Sequence, residues 1–152
     1  MDLSGHQGSV YHVVRLDDTR FVTSSQDQTI KIWDVEELRL LTTMEVNDYI
    51  TVMEVVPTKF LVAAIGHNSD YLFAWDASTA FQGKKCQLVL HEYGDSSITN
   101  IVHLKHHGKG EQELVAVSNA KGEVAIWDMQ ELEMDFECEI HEKGEIKSLV
   151  EL

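Results

Sequence analysis

Apolar and polar residues alternate along this chain in short runs separated by turn-forming residues, which is the period of half-buried strands rather than of helices. Ser9–Leu16 alternates in this way, and Asp17-Asp18-Thr19-Arg20 then supplies side chains that can bond their own backbone in a turn. Phe21–Ser25, Thr29–Val35 and Arg39–Glu45 follow as three more strands, with Gln26-Asp27-Gln28 as the second turn. The same four-strand cycle recurs twice. Its second passage predicts strands at Ile50–Val56, Phe60–Ile65, Tyr71–Trp75 and Lys85–Leu90, and its third at Ile98–Leu104, Glu113–Ser118, Glu123–Trp127 and Met134–Ile140. Glu145–Val150 reads as the first strand of a fourth cycle. Pro57 falls in a turn, where a missing N–H does no damage. The helical candidates Val35–Leu41 and Met129–Asp135 are short and fit turns between third and fourth strands, and Lys105–Gln112 reads as an elongated loop. The chain is predicted to be all-β.

Each third strand ends in Trp-Asp: Trp33-Asp34, Trp75-Asp76 and Trp127-Asp128, spaced by 42 and 52 residues and using every Trp of the chain. A repeat of about 40–45 residues is what a four-stranded propeller blade needs, and the first cycle adds Gly5-His6 at its opening and Ser25-x-Asp27 at its second turn. These features resemble the WD40-repeat family across essentially the whole chain. The resemblance implies WD40-type β-propeller blades, four-stranded antiparallel sheets in a partial ring. Blade 1 would span about 5–45, blade 2 about 46–90, blade 3 about 91–141, and a further blade would begin at 145–152. It also implies a hydrogen-bonded network of His6, Ser25, Asp27 and Trp33 that locks the first blade, with Trp75, Asp76, Trp127 and Asp128 closing the later repeats. The later units depart from the pattern. The second has Val46-Asn47-Asp48 in place of Gly-His, with Gly66-His67 too late to open it. The third begins at His91 and carries Asn119-Ala120-Lys121-Gly122 where Ser-x-Asp is expected.

The resemblance further implies peptide contacts at residues that begin each first strand and precede each second turn. These are Ser9, Tyr11 and Gln26, then Tyr49, Thr51 and Asn68, then Ser97 and Thr99, with Glu145 and Lys147 in the partial fourth unit. Tyr11 and Tyr49 stand out because Tyr offers contact area, a polar tip and little entropy loss. Two readings stand for that pair: partner contact, or packing between neighbouring blades. Three units and one strand are fewer than the 4–8 blades of a closed ring. Three arrangements follow: a segment of a longer protein, a half-ring completed by a second copy or another subunit, or an open array docked on an assembly. An isolated open array is expected to associate, since each unit buries its faces on its neighbours.

Composition narrows function more than fold. Twelve Lys and Arg against 26 Asp and Glu leave a net charge of −14, with no basic cluster to neutralise phosphates. Nucleic acid is therefore excluded as a partner, and a basic protein or peptide is favoured. Solubility alone also accounts for the acidity. No apolar run is long enough for a membrane-spanning helix, and no signal peptide opens the chain, so the expected setting is cytoplasmic or nuclear. Cys86 and Cys138 lack a Cys-x-x-Cys neighbour and read as free thiols. His103, His106 and His107 are close in sequence, but no further ligand keeps a metal-site spacing to them. His6, His91 and His141 stand near unit starts and read as structural. The acidic run Glu131–Glu139 reads as a solvated edge. Phosphate-loop, dinucleotide and Gly-x-Ser-x-Gly signatures are all absent.

The expectation is a non-catalytic scaffold for protein–protein contacts in a multiprotein complex, with no cofactor and no metal. Its competitor is a regulatory or targeting segment of a larger multidomain enzyme. A ubiquitin-ligase substrate receptor is the narrower form, weakened because the Trp-Asp pairs continue as Val35-Glu36, Ala77-Ser78 and Met129-Gln130 without x-Arg.

Overall fold

The computed structural model describes residues 5–46, 49–56, 60–65, 71–76, 88–92, 97–105, 113–129 and 133–139. Within them twelve strands form three four-stranded antiparallel sheets. The first holds β1 (Val10–Arg15), β2 (Arg20–Ser25), β3 (Thr29–Asp34) and β4 (Arg39–Glu45), paired in chain order. The second holds β5 (Ile50–Val56), β6 (Phe60–Ile65), β7 (Tyr71–Asp76) and β8 (Leu88–Glu92). The third holds β9 (Ile98–Lys105), β10 (Glu113–Asn119), β11 (Glu123–Asp128) and β12 (Glu133–Glu139). The all-β expectation holds, and each four-strand cycle forms one sheet.

Strands β1, β5 and β9 meet in succession, so they are the inner strands of consecutive blades. Between the first two blades, Val22, Ile30, Ile32 and Met44 pack against Ile50, Met53 and Trp75. Between the second and third, Val56, Leu72 and Ala74 pack against Ile98, Ile101, Val115, Val117, Ala125, Trp127 and Met129. Strand alternation explains the division, because successive residues point to opposite sheet faces. Ile30 and Ile32 look forward to the second blade, whereas Trp75 and Trp127 each look back to the blade before.

Three details differ from the sequence reading. The last strand of the second sheet reaches Glu92, because Tyr71 pairs with Glu92 and Leu72 with His91. His91 therefore lies inside β8 instead of opening the third unit. The last strand of the third sheet runs Glu133–Glu139, one residue earlier than expected, since Asp128 pairs with Glu133. Met129, read as part of a connecting turn, is fully buried in the core between blades, its N–H held by the Glu113 carbonyl at 2.8 Å. Asn68, Cys86, His106, His107, His141, Glu145, Lys147 and the Glu145–Val150 strand lie outside the described residues.

Candidate functional site: a polar relay and a bulged rim

In the first blade, strand pairing sets Phe21 opposite Trp33 and Thr23 opposite Lys31, so Thr23 and Trp33 share one face. The Trp33 indole N–H donates to Thr23 Oγ1 at 2.8 Å, and Thr23 Oγ1 meets His6 Nε2 at 2.7 Å. On its other side His6 Nδ1 meets Asp27 Oδ2 at 2.9 Å. One assignment satisfies the whole chain: indole N–H to Thr23, Thr23 O–H to His6 Nε2, and His6 Nδ1–H to the carboxylate. Asp27 also receives the Gln7 and Thr29 backbone N–H groups at 2.8 and 3.0 Å and the Thr29 hydroxyl at 2.6 Å. Burial alone would raise the Asp27 pKa. The hydrogen bonds from Thr29, Gln7 and His6 outweigh it and hold the carboxyl well below the usual carboxylate range. Gly5 is required beside this relay, since a Cβ there would come within 2.7 Å of the Trp33 ring.

The geometry joins His6, Asp27 and Trp33 through Thr23, a residue that the sequence reading passed over. Ser25 sits differently: its hydroxyl accepts the Asp27 backbone N–H at 3.1 Å and tightens the turn. Ser24 points the other way and donates to the Ile50 carbonyl of the next blade at 2.7 Å. The signal for Thr23 was present in the period of two, which puts it on the Trp33 face and Ser24 on the opposite one.

The same register shows that the later blades have no counterpart of the Thr23 link among the described residues. Trp75 pairs with Leu61 and Trp127 with Val115, so Ala63 and Val117 occupy the Thr23 position. Neither has a hydroxyl. The Trp75 indole nitrogen is accordingly buried without a hydrogen-bond partner. Asp128 is buried at the end of β11, and Asp76 ends β7, each directly after its Trp. In the third blade Asn119 takes over the turn-holding part of Ser25. Its Oδ1 accepts the Lys121 and Glu123 N–H groups, each at 3.0 Å, and Gly122 supplies the left-handed residue at φ 94°.

A second recurring feature marks one rim. The β1–β2 register slips between Val10 and His12, the β5–β6 register between Ile50 and Val52, and the β9–β10 register between Asn100 and Ile98. Tyr11, Thr51 and Thr99 are the extra residues of these bulges, and bulges re-aim side chains at sheet rims. Gln26 N–H bonds the Ser9 carbonyl at 2.8 Å, and Ala120 N–H bonds the Ser97 carbonyl at 3.0 Å. In the first and third blades the β2–β3-type turn is thereby tied to the start of the inner strand, so Ser9, Tyr11 and Gln26 gather on one blade, as Ser97 and Thr99 do on another. Tyr11, 40% exposed, meets Tyr49 across the blade junction with ring centroids 5.6 Å apart. Thr99 Oγ1 bonds Ser118, which anchors it more firmly than a free rim hydroxyl.

His103 is accounted for within the fold. Its Nε2 meets Glu113 Oε2 at 2.7 Å, both side chains being largely buried. Among the described residues no three His, Cys, Asp or Glu side chains converge as a metal would require, and no helix is long and apolar enough to cross a membrane.

Comparison with known proteins matches residues 1–34 to the family of the WD domain, G-beta repeat. Over 137 residues the chain is 26% identical to "Eukaryotic translation initiation factor 3 subunit I" of Culex quinquefasciatus, covering 84% of this chain and 40% of that protein. Among solved structures, "Structure of U3-55K" superposes with a TM-score of 0.75, and "Crystal structure of RRP9 WD40 repeats" with 0.74. Both are 18% identical and cover 93% of this chain and 42% of the other. The chain thus spans about two fifths of the length of these relatives.

Proposed function

We propose that the chain, which is similar to WD40-repeat proteins, acts as a non-catalytic scaffold for protein partners within a multiprotein complex, in the cytoplasm or nucleus. Proteins of this kind are typically interaction platforms, and the curated relative is by its name a subunit of a larger factor. The observation that carries the reading is the rim of bulged inner-strand residues, with the Tyr11 and Tyr49 rings in contact at the junction of the first two blades. Ser9, Gln26, Thr51, Ser97 and Thr99 extend that rim, and Asn68 is proposed to continue it. Further blades, from a longer chain or a second one, are proposed to complete the ring, in keeping with relatives more than twice as long.

The test is affinity capture from cell extract followed by mass spectrometry, with the unaltered chain and a Tyr11→Ala/Tyr49→Ala double variant. Capture of a defined set of proteins is expected from the unaltered chain and its loss from the variant, with circular dichroism unchanged. If soluble yield collapses instead, the tyrosines belong to the core between blades and the rim assignment is wrong.

A further inference from the structure

We propose that the groove between the far ends of β1 and β5 receives a single lysine or arginine side chain from a basic partner protein. This site deepens the scaffold reading and rests on it. It lies at the opposite ends of the inner strands from the bulged residues, so it is a second contact point distinct from the tyrosine rim.

The groove is a cavity of about 510 Å³, within the span of pockets that hold small groups. Val14, Leu16 and Val55 supply apolar walls, and all three pack onto the core between the first two blades. Such walls suit the methylene stem of a long cationic side chain, whose head must then meet a negative charge. Arg15, Asp17 and Asp18 also line the groove, but their charges are engaged: Asp17 takes the Arg20 guanidinium, and Asp18 and Arg15 pair with each other. Glu54 differs. It is half-buried in the wall, and burial, the largest effect, pushes its pKa up against the attraction of His103 and the Val55 backbone N–H. A half-desolvated carboxylate without a matched cation is unfavourable, and a guanidinium or ammonium entering the groove would relieve it. An apolar or acidic side chain would use the walls and leave that charge worse solvated. The net charge of −14 favours the approach of a basic partner in the first place.

The test is amide NMR of the isotope-labelled full chain titrated with acetyl-Gly-Arg-Gly-amide, acetyl-Gly-Lys-Gly-amide and the uncharged citrulline counterpart. Saturable shifts at Val14–Asp18 and Glu54–Val55 are expected with the arginine or lysine peptide, and binding about tenfold weaker with citrulline. Glu54→Gln keeps the shape and removes the uncompensated charge, so it should fold normally, as its spectrum will report, and bind as weakly as citrulline does. Equal binding of citrulline, undiminished binding by Glu54→Gln, or no shifts at the groove with either cationic peptide would each overturn the proposal. The citrulline arm uses unaltered protein and decides even if the variant misfolds. Failure here with intact protein capture refutes the groove alone. Loss of capture altogether refutes the scaffold reading.

Discussion

Thr23 is the residue on which the first blade's polar relay turns, because its single hydroxyl serves both Trp33 and His6. Valine has nearly its shape and none of its hydrogen bonding. Thr23→Val should therefore leave two buried groups unpaired, at about 1–3 kcal/mol for each such group. Chemical denaturation should show a loss of about 2 kcal/mol or more, and a loss under about 0.5 kcal/mol would mean that the relay is incidental. Asp27 adds a pH dependence. Its folded pKa is depressed, so the unfolded chain binds the proton first as pH falls below the usual aspartate value near about 3.9. Its stabilisation is full above that value and declines below it, down through the folded pKa. Asp27→Asn should lower stability at pH 7 and flatten the acid limb of a denaturation midpoint plotted against pH. An unchanged acid limb would assign the acid sensitivity to other carboxylates.

At the scale of elements, strands were readable because short apolar runs are broken by turn-forming residues, as around Arg39–Glu45, Ile50–Val56 and Phe60–Ile65, whose bounds match the sequence pattern. What alternation could not convey is how far a strand continues when its partner sets the end, as Tyr71 does for β8 by pairing with Glu92. Nor could it rank two hydroxyls on one face. Ser25 has the motif position, but Thr23 lies within reach of the Trp33 indole, and register decides between them. Met129 was hidden for a related reason: a residue just past a strand can still turn its side chain under the neighbouring blade. The second blade offers the converse experiment. Ala63 stands where Thr23 stands in the first, and the Trp75 indole nitrogen has no partner. Ala63→Thr is expected to supply the missing acceptor and raise stability by about 1 kcal/mol. A thermal midpoint that falls would show that the added atoms do not fit.

At the scale of the whole molecule, blades are joined by repeated use of one contact, the forward face of each sheet against the Trp-bearing face of the next. Charge acts on the same scale. With a net −14, capture of a basic partner should be fast at low salt and weaken steeply as ionic strength rises and the screening length shrinks. Surface-plasmon association rates at about 50 and 300 mM salt provide the check. Rates that do not change would leave the acidity with solubility as its sole role.

The slipped register at the start of every inner strand has a consequence for how such a protein can change. Tyr11, Thr51 and Thr99 are each spare residues in their ladders, with no residue paired directly opposite, and of the three Thr99 alone is held by a hydrogen bond to its neighbouring strand, at Ser118. They behave as separate letters, one per blade, that can be respelled without rewriting the sheet beneath. A lineage carrying this fold can acquire a new partner by single substitutions at those letters, while the buried lines of text stay the same.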